Sequence, residues 1–138
     1  MTIEVQGLTK HFGAVTAANG VSLRVEEGGL MALLGPSGSG KTTVLRMIAG
    51  LENPDAGSIT IGGIDVTDLP AQKRHVGFVF QHYALFKHMR VADNIAFPLK
   101  VRHWRKDAAR ERVAELVSLL RLEGLERRYP DEVSGGQQ

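Results

Sequence analysis

The sequence predicts an α/β fold in which an antiparallel sheet precedes a buried strand, a glycine loop and a helix. Three observations carry this prediction. Segments near the amino terminus alternate apolar and polar residues, a continuous apolar run at 30–34 leads through glycines into helically spaced residues, and an amphipathic pattern fills much of the second half. The 138 residues are 43% hydrophobic and 23% charged, which suits one ordinary globular domain.

The composition excludes several classes of protein. The net charge of +2 is too small to indicate a nucleic-acid polycation, and the absence of cysteine excludes disulfides, thiolate metal sites and thiol catalysis. Residues 1–13 lack the apolar stretch of a secretory signal, and no window is apolar enough to span a bilayer. The basic run at 100–112 fits the solvated start of a helix, and the five histidines lack ligand spacing, so we expect neither nucleic-acid nor histidine-based metal binding.

In the first half of the chain the patterns predict two strands, then a strand, a loop and a helix. Residues 2–6 and 21–25 alternate as antiparallel strands do, with a small-residue connection between Gly13 and Gly20. Residues 30–34 are expected to form a strand buried on both faces. Residues 41–49 have helical spacing, with Val44, Leu45 and Ile48 predicted on one face and Gly50 placed to end the helix.

A hairpin, a second buried strand and a helical segment are predicted to follow. Residues 58–61 lead into Gly62-Gly63, which is a hairpin signal, and the apolar run 76–80 stops at the polar Gln81. Residues 82–130 are interpreted as mostly helical, with Pro98 and Pro130 as breaks. Within them one amphipathic helix is predicted to begin at Asp107, with its apolar positions at Ala109, Val113, Leu116, Val117 and Leu120.

The strongest chemical signal is GPSGSGKT at residues 35–42, a glycine, four residues, a glycine, a lysine and a threonine. Glycines let successive amide groups turn inward around a triphosphate, and the following helix directs the positive end of its dipole at the same anion. Lys41 would add a charge for the terminal phosphates, and the Thr42 hydroxyl could ligate Mg²⁺. A plain glycine turn before a helix is the alternative, but the flanking patterns favour phosphate binding.

Three further motifs give the chain a family resemblance. VSGGQQ at residues 133–138 resembles the signature motif of ATP-binding cassette (ABC) ATPases, and VGFVFQHYALFKH at 76–88 resembles the segment around their Q-loop. KHFG at 10–13 lies where that family has its adenine-stacking aromatic residue. The resemblance implies the P-loop NTPase fold of ABC ATPase type. Residues 1–81 would form a β subdomain with the phosphate-loop core, and 82–138 a helical subdomain ending at the signature.

The sequence of residues 81–99, QHYALFKHMRVADNIAFPL, resembles that of the ATP-binding subunits of bacterial sulfate/thiosulfate importers in particular. Importers for oligosaccharides, polyamines and metals share much of this pattern, so the solute stays open. The second hypothesis is a non-transport or truncated nucleotide-binding module of the same family. A gene neighbourhood with membrane permeases would favour transport.

The resemblance implies roles for individual residues. ATP would contact Phe12, with Ala17 beside it, and Gly35, Pro36, Ser37, Gly38, Ser39, Gly40, Lys41, Thr42 and Thr43. Lys41 and Gln81 would be catalytic, and Thr42 and Gln81 would hold Mg²⁺. The signature residues would act on ATP bound to the opposite subunit; they are Ser134, Gly135, Gly136 and Gln137.

Those roles imply partners and a location. A second copy of the ATPase subunit would complete each site, and membrane permease subunits would be driven from the cytoplasmic face of the membrane, with a solute-binding protein acting indirectly. Phe86 is left open between a core position and the groove that receives a helix of the permease.

The departures from the family pattern are also informative. Val133 stands where leucine is usual, and Phe12 stands where tyrosine is frequent. More seriously, the family continues past the signature with an apolar strand ending in Asp-Glu and then a histidine. The adjacent acidic pairs here, 26–27 and 131–132, follow no such strand. We therefore expect an amino-terminal fragment of a longer ATPase, which binds nucleotide weakly and does not sustain hydrolysis alone.

Overall fold

The computed structural model describes residues 1–138 and divides them into two compact units, Met1–Phe78 and Val79–Gln138. The first unit contains a four-stranded antiparallel sheet with the strand order β2-β1-β3-β4. Its strands are β1 Ile3–Phe12, β2 Val15–Val25, β3 Ala56–Ile61 and β4 Ile64–Asp65.

The hairpin of β1 and β2 is longer than the sequence predicts. Phe12 pairs with Val15, and the turn between them is made possible by Gly13, whose φ of 59° is readily adopted only by glycine. The predicted small-residue connection from Gly13 to Gly20 is therefore wrong, because residues 15–20 belong to β2. Small residues do not prevent pairing when a tight turn brings them opposite a long partner strand.

A bulge interrupts this hairpin near its closed end. Lys10 pairs with Ala18 and His11 pairs with Thr16, so Ala17 has no opposite residue on β1. An extra residue of this kind bends the strand and redirects its backbone groups. The bulge therefore changes the direction of the β2 backbone at the closed end of the hairpin.

The core of the first unit lies between the sheet and α1, Lys41–Ala49. Val5, Leu8 and Ile59 of the sheet are buried together with Val44 and Met47 of the helix. Leu45 was predicted on the buried face, but it is 46% exposed because the face toward the sheet runs through Val44 and Met47, three residues apart.

The helix α1 ends at Gly50, as its sequence predicts. Gly50 has a φ of 74°, and its N–H donates toward the carbonyls of Arg46 and Met47. This left-handed cap satisfies carbonyl groups that the helix itself leaves without a donor.

Arg74 closes the same end of α1 from outside the helix. It is the last residue of α2, Ala71–Arg74, and is buried, with 3% of its surface exposed. Its guanidinium donates to the carbonyls of Met47 at 2.7 Å, Ile48 at 3.0 Å, Leu69 at 2.7 Å and Thr67 at 2.9 Å. Burial lowers the pKa of this group, and the carbonyl dipoles at the helix end offset the cost of burying its charge.

The two predicted buried strands at 30–34 and 76–80 are absent. Neither run is a strand, and Leu30 is fully exposed, Leu34 is 90% exposed and Val79 is 94% exposed. A buried strand requires neighbouring strands to accept its ladder bonds, and the sheet order provides no neighbour for either run. An apolar composition is therefore insufficient to form these strands.

The predicted hairpin after residue 61 is confirmed. Strands β3 and β4 are joined by Gly62 and Gly63, whose φ values of 60° and 81° fit a tight two-residue turn.

The second unit is helical, with α3 Val91–Val101, α4 Lys106–Leu119 and a 3₁₀ turn at Pro130–Glu132. Pro98 was predicted to break the helical segment, but it lies inside α3, where it removes one hydrogen bond without ending the helix. Leu120 follows α4 and is 57% exposed, so it does not continue the apolar face. None of the helices combines the length and the apolar composition that a membrane span requires.

Candidate functional site

The glycine loop at 35–40 leads directly into α1. Gly40 caps the helix with a φ of 85°, no side chain caps the amide groups of the first turn, and that turn contains no acidic residue. Amide groups at a helix start carry partial positive charge and bind anions when no side chain occupies them. The local geometry therefore suits a phosphate group.

The loop is fixed against the hairpin by a contact between Gly40 and Ala17. A Cβ atom on Gly40 would overlap the carbonyl oxygen of Ala17, so only glycine permits this approach. Ala17 is the bulged residue of β2, and the same end of the hairpin carries Phe12, which is 49% exposed. The structure thus brings together the predicted phosphate loop and the predicted adenine-stacking residue.

Lys41 bends back over the loop that precedes it. Its Nζ donates to the carbonyls of Gly35 at 2.8 Å and Pro36 at 2.6 Å, and to Ser39 Oγ at 3.1 Å. These three acceptors hold the ammonium group over the loop without a counterion. A phosphate arriving here would compete with neutral acceptors for a charged donor, and charge-assisted bonds are the stronger ones.

The remaining residues of the loop are accessible. Ser37, Gly38 and Ser39 are exposed, as is Thr42 in the first turn of α1, while Thr43 is half-buried. The Thr42 hydroxyl is one suitable oxygen ligand for Mg²⁺, an ion that keeps several waters and takes only one or two protein ligands beside phosphate oxygens. No group of three His, Cys, Asp or Glu side chains forms a metal site of its own. The donor set therefore fits Mg²⁺ that arrives with a nucleotide.

Gln81 belongs to the second unit, where it lies exposed in a turn. The residues that follow it are conformationally unusual, because Tyr83 and Ala84 have φ values of 54° and 53°. The Asn94 side chain holds the next segment to α3: Phe86 N–H donates to its Oδ1 at 2.9 Å, and its Nδ2 donates to the carbonyls of Phe86 and Met89 at 3.1 Å. The segment from Phe86 to Met89, which follows Gln81, is therefore anchored to α3.

The four signature residues also lie in the second unit, within a single turn. The N–H of Gln137 donates to Ser134 O at 2.9 Å, and the N–H of Ser134 donates to Gln137 Oε1 at 2.9 Å. The second bond is one half of a capping box, the motif that starts a helix. Gly135 and Gly136 have open space around them. The Gln137 side chain is thus engaged inside the turn.

Two features of the structure are not evident from the sequence. One is a groove of about 740 Å³ between α3 and α4, whose apolar lining includes Ala96, Ala109 and Val113. Phe86 does not line this groove; its ring packs on Phe97 with centroids 4.5 Å apart, and 39% of it is exposed. The other is Lys10, which is held by Glu52 and Asp55 and lies 5.3 Å from the centre of the Phe12 ring. In the sequence, the amphipathic spacing of the α4 residues is the only signal that indicates this groove.

The chain matches a family and several relatives. The family model described as ABC transporter matches residues 18–138. The "Sulfate/thiosulfate import ATP-binding protein CysA" of Bordetella bronchiseptica is 58% identical over 99% of this chain and 40% of its own length, and that of Synechocystis is 55% identical over 99% and 39%. The chain therefore spans about 40% of the length of the curated relatives it matches.

Solved structures agree with the sequence comparison. A structure described as the "Dimeric structure of a post-hydrolysis state of the ATP-binding cassette MJ0796 bound to ADP and Pi" has a TM-score of 0.86, is 30% identical, and is matched over 98% of this chain and 64% of its own. The "Dimeric Structure of MJ0796, a Bacterial ABC Transporter Cassette" has a TM-score of 0.85 at 31% identity, with the same coverage. The predicted fold class, an ABC ATPase type, is confirmed by these matches.

Proposed function

The chain belongs to the ABC transporter family, and from that membership we propose that it acts in the ATP-binding, energy-coupling subunit of an importer for sulfate or thiosulfate. The observation that carries the proposal is the contact of Gly40 with Ala17, which places the phosphate loop beside the hairpin end that bears Phe12. A mononucleotide has a base and phosphates joined by a short ribose, so it requires both features in one place. The relatives are named sulfate/thiosulfate import ATP-binding proteins, which supports the choice of solute.

In the proposed complex with ATP, the phosphate groups accept hydrogen bonds from the loop and from the start of α1. Lys41 exchanges its bonds to Gly35 and Pro36 for bonds to phosphate oxygens. The other residues in contact with the phosphates are Ser37, Gly38, Ser39, Gly40, Thr42 and Thr43. Phosphoryl transfer depends on positioning and on neutralising charge, which amide donors and a lysine supply without covalent chemistry.

Thr42 and Gln81 are the side chains that would hold Mg²⁺, whose charge offsets the negative charge that develops on the phosphates. Gln81 in addition would orient the attacking water. The resemblance of residues 76–88 to the Q-loop segment of the family supports a role in which the position of Gln81 responds to the bound nucleotide.

The signature turn supports a dimer. Ser134, Gly135, Gly136 and Gln137 form a turn closed by the bond from the Ser134 N–H to Gln137 Oε1, and the open space around its two glycines leaves room for an approaching phosphate. We propose that this turn acts on ATP held by a second copy of the subunit. Two structural neighbours are described as dimeric, which agrees with this assembly.

For the membrane permease we propose the groove between α3 and α4 as the contact surface. A short amphipathic helix is the occupant that suits an apolar groove with charged edges, since its apolar face can enter while its polar face pairs outside. Both signs of charge are available, because Lys100, Arg110, Asp93 and Glu123 line the groove. Through this contact the subunit would be held at the cytoplasmic face of the membrane.

Titration of ATP with Mg²⁺ into the purified chain tests the nucleotide part of the proposal. We expect binding by the wild-type chain and a loss of at least about tenfold in Lys41→Ala, because a charge-assisted contact to phosphate is removed. Lys73→Ala, on the exposed surface of α2, is the matched control and should bind as the wild type does. Equal binding by Lys41→Ala would contradict the assignment.

The solute is tested by uptake in cells that carry the native gene. Deletion of the gene is expected to reduce the uptake of labelled sulfate and to leave that of labelled oligosaccharides unchanged. Unchanged sulfate uptake, together with no neighbouring permease genes, would favour the non-transport alternative.

A further inference from the structure

Lys10 is held by three acceptors from the segment that follows α1. Its Nζ lies 2.9 Å from Glu52 Oε1 and 3.3 Å from Asp55 Oδ1, and it donates to the carbonyl of Asn53 at 2.7 Å. Only 12% of the side chain is exposed. The ammonium group has three N–H donors and three acceptors around it. It is therefore held in one position, unlike the ammonium group of a lysine on an open surface.

The same ammonium group lies over the ring of Phe12, with Nζ 5.3 Å from the ring centre. This distance is within the range of a cation–π interaction. Lys10 and Phe12 are two residues apart on β1, so both side chains extend from the same side of the strand. One face of the ring is therefore covered by a fixed charge, while 49% of the residue remains exposed.

Asp55 ties down the backbone between these two residues. The N–H of His11 donates to Asp55 Oδ2 at 2.6 Å, and the N–H of Asp55 donates to the carbonyl of Thr9 at 2.9 Å. The His11 N–H is the main cause that lowers the pKa of Asp55, and the Glu52 carboxylate is the main cause that raises the pKa of Lys10. Both groups are therefore charged at neutral pH, as the arrangement requires.

The cluster joins two parts of the candidate site. Glu52, Asn53 and Asp55 follow the end of α1 at Gly50, and the amino end of that helix carries Lys41. Lys10 and Phe12 are on the hairpin whose bulge contacts Gly40. The position of the Phe12 ring is thus set by residues that directly follow the helix whose amino end carries the phosphate loop.

We propose that Lys10 is a positioning residue for the nucleotide base: held by Glu52 and Asp55, it fixes the Phe12 ring from one face so that an adenine can stack on the exposed face. This inference rests on the proposed function, because it requires ATP to bind at Phe12. Lys10 itself need not contact the nucleotide. Its effect should appear in the affinity for the base and not in the affinity for the phosphates.

The test separates base from phosphate by titrating two ligands, ATP and inorganic tripolyphosphate, into the same chains. Lys10→Met keeps an unbranched side chain and removes the charge. It should bind ATP about three- to tenfold more weakly, because the Phe12 ring loses its cation–π contact and is less well ordered. Tripolyphosphate affinity should change less than about twofold. In Lys10→Arg, ATP affinity should be largely retained, because the cation remains.

Two further variants keep the inference falsifiable. Glu52→Gln leaves Lys10 in place but weakens the contact that holds its ammonium group. It replaces Lys10→Met as the test if that variant folds poorly, and it should show the same selective loss of ATP affinity. Lys73→Met is the matched control and should alter neither ligand.

The outcomes are distinct. A loss of both ligands to the same extent would overturn the inference, since it would show a general structural role. Unchanged ATP affinity in both Lys10→Met and Glu52→Gln would overturn it as well, with the proposed function intact. A wild-type chain that binds neither ligand would overturn the proposed function and this inference together.

Discussion

The guanidinium of Arg74 donates a 2.7 Å hydrogen bond to the carbonyl of Met47 and so closes the carboxyl end of α1. The close fit extends to Gly50, where a Cβ atom would come within 2.5 Å of Arg74 Nε. Arg74, which lies 27 positions after Met47 in the chain, thus completes the cap of the helix that carries the phosphate loop. The stability of the first unit should depend on this contact.

Arg74→Met is expected to lower the free energy of unfolding by about 3 kcal/mol, because the carbonyl groups that Arg74 contacts, including that of Met47, lose a charged donor. Arg74→Lys should lose less, since an ammonium group keeps the charge but cannot reach all four carbonyls in the arrangement of the guanidinium. Urea unfolding measures both. Lys73→Met, one residue earlier and exposed, is the control, and an equally small effect of Arg74→Met would contradict the prediction.

Gly40→Ala is expected to destabilise the ligand-free chain by about 2 kcal/mol more than Gly38→Ala. Both glycines have a left-handed φ, 85° and 82°, so both substitutions carry the same backbone cost of about 1 kcal/mol. Only at Gly40 would the new Cβ also meet the Ala17 carbonyl, whereas Gly38 has open space around it. Thermal and urea unfolding without nucleotide compare the pair, and equal losses would show that the hairpin yields easily.

Residues 1–138 alone are expected to bind ATP without sustained hydrolysis. Each carboxylate of their adjacent acidic pairs already has a partner: Glu26 pairs with Arg24, Glu27 pairs with the amino terminus, Asp131 pairs with Lys87, and Glu132 accepts the Tyr129 N–H. None is free to polarise a water at the phosphates. Phosphate release in a coupled assay should therefore equal the background, and release that disappears in Lys41→Ala would refute this.

Acid should weaken the hold of Asp55 on the hairpin. The His11 N–H, and then Lys10, keep the pKa of this carboxyl below its ordinary value of 3.8, so its contribution is present above that value and is lost as the pH falls through the lower folded-state pKa. Asp55→Asn should be less stable than the wild type at pH 7, and the difference should shrink as the pH falls below the ordinary carboxyl pKa of 3.8 and the wild-type carboxyl takes up its proton.

Urea unfolding at several pH values measures this convergence. Glu111→Gln, an exposed change on α4, provides the control for a general effect of charge. A difference that persists undiminished in acid would mean that Asp55 acts through its shape alone.

Gln137→Ala is expected to loosen the signature turn. The Gln137 Oε1 atom accepts the Ser134 N–H at 2.9 Å, so this amide should exchange its hydrogen faster when the side chain is removed. Gln137→Glu keeps an acceptor and should preserve most of the protection. Amide exchange followed by NMR compares the two, and equal protection in Gln137→Ala would exclude the capping role.

Features determined by neighbouring residues were predictable from the sequence. Gly50 ends α1, Gly62 and Gly63 close a hairpin, and the GPSGSGKT pattern at 35–42 forms a loop before a helix, because each depends on a few adjacent dihedral angles. The apolar runs at 30–34 and 76–80 were misinterpreted for the opposite reason. Whether such a run becomes a strand depends on neighbours that composition does not report.

The residues that position the site were not predictable. Arg74 reaches Met47 across 27 positions and Lys10 reaches Asn53 across 43, so no local pattern links the partners. The sequence suggested the phosphate loop and Phe12 separately. Their proximity depends on the Ala17 bulge, a one-residue register change that periodicity does not reveal.

The exposed run around Leu30 and Leu34 affects the solubility of residues 1–138 on their own. A short, uncharged, strand-prone segment that is open to solvent is a template for intermolecular β-pairing. In a concentrated solution of residues 1–138 such a segment promotes precipitation. A single aspartate in place of Leu30, whose side chain is fully exposed, would improve solubility at little cost to folding.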